Sequence, residues 1–211
     1  MSFSVNTNTG AQVALQYLNA TQGQLDQTQS RINSGLKVAS AKDDGAIYAI
    51  AQNQRGAVAG YQSVISSLNN GSSAIDVALS AGQSISDLLI QLKQKALSAA
   101  DPSTDTASRQ ALNANFTALR DQISTIVKNA VFNNFNLVDG STTQVQALAS
   151  SDGSRRITAQ AQDLSLGGSI VTIGATDSIS TQVKASALIG TIQASLTNVN
   201  SALAKLSSGA E

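Results

Sequence analysis

The sequence predicts a mainly α-helical fold: an elongated rod of long antiparallel coiled-coil-like helices with a small β-hairpin region. The main observation is a heptad seam. Every seventh residue counted from Ile47, and again from Ile50 up to Ala99, is apolar or small, with Gln54 as the exception. A seam of this kind is typical of a helix that is packed along its length. The second observation is alternation of apolar and polar residues within 144–164, which is typical of strands.

Composition limits the possible functions. The 211 residues contain 13 basic and 13 acidic side chains, so the charge balance indicates neither a nucleic-acid partner nor an anionic-membrane partner. Cys and His are both absent, which excludes disulfides and the usual ligands of transition metals. We find no run of about 18 apolar residues that could span a bilayer, and the first residues lack the pattern of a secretory signal peptide. We therefore predict no cofactor, and the low charge favours self-association.

The first helix is predicted from Asn6 to Ile32, within a segment 1–32. Half of its seam is polar, because Gln22 and Gln29 alternate with the apolar positions Leu15, Leu18, Leu25 and Ile32. We expect such a helix to be disordered in an isolated chain and ordered by neighbours. Gly35 is a predicted helix stop. Residues 33–45 are a connector, in which Asp43 or Asp44 caps the next helix.

The second helix is predicted to be long, on the order of 75 Å at 1.5 Å per residue. Gly56, Gly60, Gly71 and Gly82 lie inside it, and each costs about 1 kcal/mol relative to alanine, so packing must stabilise this helix. A kink at residues 69–71 is the alternative, but the heptad register continues across that stretch. The seam residues that we select here are Ile47, Ile50, Tyr61, Val64, Leu68, Ile75, Ile85, Leu89 and Leu92.

A third helix follows Pro102, which ends the second helix because the residue before proline avoids the α region. Ser103, Thr104 or Asp105 is its predicted cap, and the helix should run to about Ala130, antiparallel to the second because the connection is short. Its seam contains Leu112, Phe116, Leu119 and Ile123, followed by Ile126 or Val127.

The region 141–177 changes character. Two alternating runs, 144–149 and 156–164, flank an Asp-Gly turn and predict a β-hairpin, and a third apolar run follows at 170–174. Helical periodicity returns in 178–211. Its predicted seam is Ile179, Val183, Ala187 or Leu188, Ile192, Ser195 or Leu196, Val199, Leu203 and Leu206.

No group of residues predicts catalysis. Asp43 and Asp44 are the one adjacent carboxylate pair, and helix capping explains them better than a metal site. Arg155 and Arg156 lie at the hairpin end, where solvated charges are ordinary. We therefore predict that the protein is not an enzyme.

Several ordered motifs resemble bacterial flagellin. They include residues 5–8 (VNTN), 31–38 (RINSGLKV), 40–44 (SAKDD) and 133–140 (NNFNLVDG), and the similarity runs from Ser4 to about Gly140. The single small hairpin resembles the compact flagellins of alphaproteobacteria, which lack large outer domains.

The resemblance implies a subunit of the flagellar filament that polymerises with other flagellin subunits for motility. Segment 1–32, through Leu15, Leu18, Leu25 and Ile32, would belong to the inner tube, and 33–45, with Asp43 and Asp44, to the spoke. Residues 46–140 would be the N-terminal rod helices, 141–177 the hairpin region and 178–211 the start of the C-terminal rod helix. The resemblance also implies an extracellular location, reached through the flagellar export apparatus with an export chaperone and without a cleaved signal peptide. The alternative is a hook–filament junction protein or a surface-displayed flagellin homologue with a binding role.

Two departures from the family pattern lead to further expectations. Family members continue beyond the rod helix that begins near residue 178, so we expect this chain to be a fragment that does not form filaments by itself. In relatives that stimulate the vertebrate Toll-like receptor for flagellin, arginine usually occupies the position of Gln91 and leucine that of Lys95. We therefore expect weaker receptor contact at this stretch.

Overall fold

A computed structural model describes residues 8–209, and it confirms a mainly α fold with a small antiparallel strand region. The helices are α1 (Thr9–Ser34), α2 (Gly45–Ala100), α3 (Thr106–Asn129) and α4 (Gln182–Ser208). The strands are β1 (Val131–Phe132), β2 (Phe135–Asn136), β3 (Gln144–Leu148) and β4 (Arg156–Gln160). The chain forms two compact units, Met1–Ala59 and Gly60–Glu211.

In the first unit, local capping defines α1. The Asn8 side chain accepts a hydrogen bond from the backbone N–H of Ala11, which satisfies one of the free donors at the helix start. At the other end Gly35 adopts a left-handed conformation with φ 66°, and its N–H bonds to the carbonyl of Ile32. The predicted stop at Gly35 is therefore confirmed. The predicted start at Asn6 lies outside the described residues. None of the described residues up to Ala59 is buried.

In the second unit, α2 continues without interruption through residues 69–71, so the alternative of a kink there is wrong. Helix α4 runs antiparallel to it, because residue numbers fall along α4 as they rise along α2. The side chain of Ser86 bonds to that of Asn200 at 3.4 Å, and the Nζ of Lys93 donates to the Oε1 of Gln193 at 2.6 Å. Gly82 likewise lies against Leu203.

Helix α3 returns along another side of α2. The Nε of Arg109 donates to the carbonyl of Ala99 at 2.8 Å near the turn, and the Asp105 side chain caps α3 by accepting from the N–H groups of Ala107 and Ser108. Farther along, α2 residues 76–84 and α3 residues 125–129 line the same shallow groove. The antiparallel return predicted from the short connection is confirmed.

One hydrophobic core joins the three helices and the segment before α4. Its largest fully buried side chains are Phe116, Ile85, Leu89, Leu92, Ile123, Leu137, Leu164, Ile173, Ile179, Ile192, Leu206 and Val138. The seam predicted for α4 needs one correction, because the helix begins at Gln182 and Val183 is 77% exposed. Ile179 is buried, but it lies before the helix, where its N–H bonds to the Oδ1 of Asn113.

The strands form two separate hairpins. β3 and β4 pair antiparallel, which confirms the predicted hairpin, although β4 ends at Gln160. β1 and β2 form a second, very short hairpin that the sequence analysis did not predict. Its central residues Asn133 and Asn134 both have positive φ, 46° and 67°. Two consecutive positive values are typical of a type I′ turn, which asparagine tolerates.

The apolar run 170–174 forms no strand. It is irregular, yet Val171 and Ile173 are completely buried. Its backbone groups bond locally or to α4: the N–H of Thr172 donates to the Oγ of Ser195, and the carbonyl of Ile173 accepts from Gly167. The run therefore satisfies its backbone without a strand partner.

Candidate assembly surface

The four residues predicted for inner-tube packing lie on one side of α1 and are uncovered. Leu15 is 62% exposed, Leu18 59%, Leu25 57% and Ile32 73%. Leucine and isoleucine residues separated by three or seven positions lie on one face of a helix and form the apolar stripe that a helix usually buries. Each fully buried side chain of this kind contributes about 1.5–3 kcal/mol. The stripe is therefore a strong candidate for contact with other chains.

The start of α2 shows a second uncovered apolar group. Ile47 is 51% exposed and Ile50 59%. Both were predicted on the rod seam, but no part of the first unit covers them. Tyr61, in the second unit, is also exposed at 58%. The packed part of the seam begins at Val64, which is 7% exposed.

Beyond that point the predicted seam residues come together. Ile75, Ile85, Leu89 and Leu92 of α2 are buried, as are Phe116 and Ile123 of α3, whereas Leu68, Leu112 and Leu119 are partly buried. This stretch is the supporting scaffold, because its apolar face already has partners within the chain.

The two acidic residues of the connector have different roles. The Oδ1 of Asp44 accepts from the N–H groups of Ala46 and Ile47, so Asp44 is the cap of α2. The Oδ2 of Asp43 accepts instead from the backbone of Ser40, from the Ser40 hydroxyl and from the backbone of Ala39, which ties down the preceding turn. The Ser40 N–H is the main cause that holds the pKa of Asp43 below its ordinary value.

The receptor-related positions differ in their surroundings. Gln91 is exposed on α2, whereas Lys95 is half-buried. The neighbouring Lys93 donates a hydrogen bond to the side chain of Gln193. A ligand that approaches this stretch would therefore meet an amide and one partly covered ammonium group.

One buried charged residue was missed by the sequence analysis. Arg120 on α3 is 8% exposed; its Nη1 donates to the carbonyl of Asp177 at 2.7 Å, and it forms an ion pair with Asp121 at 2.8 Å. It joins α3 to the segment that leads into α4. A charged residue in the middle of a helical run carries no sequence signal for this role, because its partner is a backbone carbonyl 57 residues away.

Within residues 8–209 there is no cluster of acidic, His or Cys side chains that could hold a metal ion. In the same range, no helix is long and apolar enough to cross a membrane.

A family model described as the bacterial flagellin N-terminal helical region matches residues 5–143, which include the uncovered stripe of α1 and most of the seam. The chain belongs to the bacterial flagellin family. Flagellin FljM of Caulobacter vibrioides is 49% identical over 203 residues, which cover 96% of this chain and 73% of the relative. Flagellin FljJ of the same organism is 37% identical, and the match covers the whole of this chain and 76% of the relative.

A more distant relative and a solved structure agree with this assignment. Flagellin A of Vibrio anguillarum is 33% identical over 67% of this chain and 37% of its own length. The crystal structure of Bacillus cereus flagellin has a TM-score of 0.60 and 20% identity, and it covers 68% of this chain and 81% of that one. At that identity the likeness shows the fold alone.

Family membership makes this chain a structural subunit of the bacterial flagellar filament, and hence an exported protein. The junction-protein and binding-homologue alternatives are not favoured, because the relatives named above are flagellins.

Proposed function

We propose that this flagellin polymerises through the apolar stripe of α1, with the start of α2 contributing to the same contacts. The observation that carries the proposal is that Leu15, Leu18, Leu25 and Ile32 are all more than half exposed in a helix without a buried residue. Such a helix gains little from its own chain, and it needs packing partners to be stable. The chain's role is structural rather than catalytic.

The charge pattern supports homopolymerisation. Charged residues are 12% of the sequence, and basic and acidic residues balance. Little repulsion therefore opposes contact between copies. Ionic strength should accordingly have a small effect on assembly, because screening acts on charges that are few here.

We test polymerisation by co-assembly. The chain contains no cysteine, so a single Ser103→Cys substitution provides a specific site for a fluorescent label. Trace labelled chain is mixed with excess monomeric flagellin FljK of Caulobacter vibrioides, which is 48% identical, and filament fragments are added as seeds. We expect label to enter the pellet as the filaments elongate.

The decisive variant is Leu18→Asn combined with Leu25→Asn. Because neither residue is buried, the variant should keep the circular dichroism of the parent chain, yet its label should stay in the supernatant. Gln16→Asn combined with Gln27→Asn, at exposed polar positions on the opposite face of α1, is the matched control and should pellet like the parent. Equal pelleting of parent and double variant, or a parent that never enters the pellet, would overturn the proposal.

We also propose that the flagellar export apparatus, assisted by an export chaperone, secretes this chain without removal of a signal peptide. The absence of disulfide-forming residues and the 3% aromatic content are compatible with passage of an unfolded chain. N-terminal sequencing of protein recovered from the medium is the test, and a cleaved N-terminus would contradict the proposal.

A further inference from the structure

The β3–β4 hairpin lies along α2 over a track of small residues. A Cβ placed on Gly71 would stand 3.3 Å from the Cβ of Ala147. The N–H of Leu148 donates to the Oγ of Ser67 at 2.9 Å. At the hairpin tip, a Cβ placed on Gly60 would stand 2.8 Å from the Cβ and 2.9 Å from the carbonyl oxygen of Ser151.

These contacts follow one direction along both chains. Ala147 lies at Gly71, Leu148 at Ser67 and Ser151 at Gly60. The end of β3 and the hairpin tip therefore lie against α2 from Gly71 to Gly60.

Hydrogen bonds within the hairpin tip fix its conformation. The Asp152 carboxylate accepts hydrogen bonds from the hydroxyl of Ser150 and from both the N–H and the hydroxyl of Ser154. The Ser150 hydroxyl in turn accepts from the N–H of Arg155 at 3.0 Å, and Gly153 provides the left-handed residue with φ 72°. These hydrogen bonds fix the backbone conformation of the loop that contacts α2. The loop therefore cannot adjust easily when a side chain is added on the helix.

We propose that this hairpin is a strap whose tip closes on α2 at Gly60, and that the closed strap sets the point at which tertiary packing of the helix begins. No described residue before Gly60 is buried, and the first buried side chain after it is that of Val64. Lifting of the tip would uncover the face of α2 from Gly60 to Gly71 together with the apolar inner face of the hairpin.

The closed state requires the absence of a side chain at position 60. The distance of 2.9 Å between the Cβ position and the carbonyl oxygen of Ser151 forces the loop to move. Ser151 is held at that place by its tied neighbours, so the loop should lift rather than adapt. Gly56, one turn earlier in the same helix, has no neighbouring atom within 4 Å of its Cβ position. It is therefore a matched control for the effect of alanine on the helix itself.

The Leu148 amide is the reporter, because its hydrogen bond goes to α2 and not to the partner strand. We compare hydrogen exchange of this amide by NMR in the 211-residue chain and in the variants Gly60→Ala and Gly56→Ala. Overpacking of one methyl group should speed exchange at Leu148 by about 5- to 150-fold in Gly60→Ala. Gly56→Ala should leave Leu148 unchanged and slow exchange in the surrounding helix by about fivefold, because alanine favours the helix.

A third variant changes the hairpin tip instead of the helix. Asp152→Ala removes the acceptor that ties the tip, without altering α2, and it should also speed exchange at Leu148. This variant decides the matter if Gly60→Ala fails to fold by circular dichroism. Leu148 exchange within twofold of the parent in Asp152→Ala, or in a folded Gly60→Ala, would overturn the proposal.

Discussion

Gly82 offers a sharp test of the packing between α2 and α4. A Cβ at this position would collide with the Cδ2 of Leu203 and stand 3.5 Å from the Cδ1 of Leu164. Gly190, in the middle of α4, has no neighbouring atom within 4 Å of its Cβ position. Both glycines lie inside helices, so alanine should gain about 1 kcal/mol of helix propensity at either site. The pair of substitutions therefore isolates the packing contribution.

The magnitude follows from these two effects. Overpacking by one methyl group costs typically about 1–3 kcal/mol, so Gly82→Ala should lower the free energy of unfolding by about 0–2 kcal/mol. Gly190→Ala should raise it by about 1 kcal/mol. For a chain of this size each kcal/mol shifts Tm by about 2–4 °C. Thermal unfolding followed by circular dichroism should therefore place the Tm of Gly82→Ala below that of Gly190→Ala.

Removal of the obstructing side chain completes the test. Leu203→Ala should be destabilising by itself, but in combination with Gly82→Ala the loss should be smaller than the sum of the two. A coupling of about 0.5–3 kcal/mol is expected for residues in contact. An equal increase in Tm for Gly82→Ala and Gly190→Ala would refute the reasoning, because it would show that Leu203 imposes no constraint.

Four other predictions concern separate parts of the chain. Arg120→Met should lower the free energy of unfolding by about 1–3 kcal/mol in urea titrations, because the carbonyl of Asp177 loses its donor; an unchanged midpoint would contradict this. The Ser150 hydroxyl, followed by the Ser154 N–H, lowers the pKa of Asp152 to about 2 from 3.8. Its contribution to stability should thus be complete above about pH 4 and be lost as the pH falls through 2, and Asp152→Asn should lack this dependence when unfolding is measured across that range. Amides of α1 should exchange much faster than those of α3 in the monomer, since α1 buries no residue; slow exchange throughout α1 would be inconsistent with an uncovered helix. Gln91→Arg combined with Lys95→Leu should tighten binding to the Toll-like receptor more than tenfold in a titration, whereas equal affinity would remove the basis for the expectation.

The heptad count predicted where α2 has an apolar face, but not where that face is covered. The same spacing places Ile50 and Ile85 on the seam, yet Ile50 is 59% exposed and Ile85 is completely buried. A heptad repeat shows that a helix has a face suited to packing against another element. Whether the partner lies in the same chain depends on residues far away in the sequence, and here α3, α4 and the hairpin are available to only one part of the helix.

Local chemistry was predictable where both partners are close in sequence. Caps such as Asp105 and stops such as Gly35 depend on a few neighbouring residues, and the sequence indicated both. The turn at Asn133 was missed because asparagine tolerates positive φ but does not require it. The role of Arg120 was missed because only the folded chain brings it to Asp177.

The antiparallel pairing of α2 and α4 has a consequence for the order of folding. The bond between Ser86 and Asn200 joins residues 114 positions apart, and that between Lys93 and Gln193 joins residues 100 apart. During synthesis, α2 is complete long before the ribosome has made α4. Contacts of such high sequence separation form slowly, because a long loop must close first. A nascent chain therefore leaves the α4-facing side of α2 uncovered until residues 193–200 have been made. This delay lengthens the interval in which a chaperone can capture the chain before it folds.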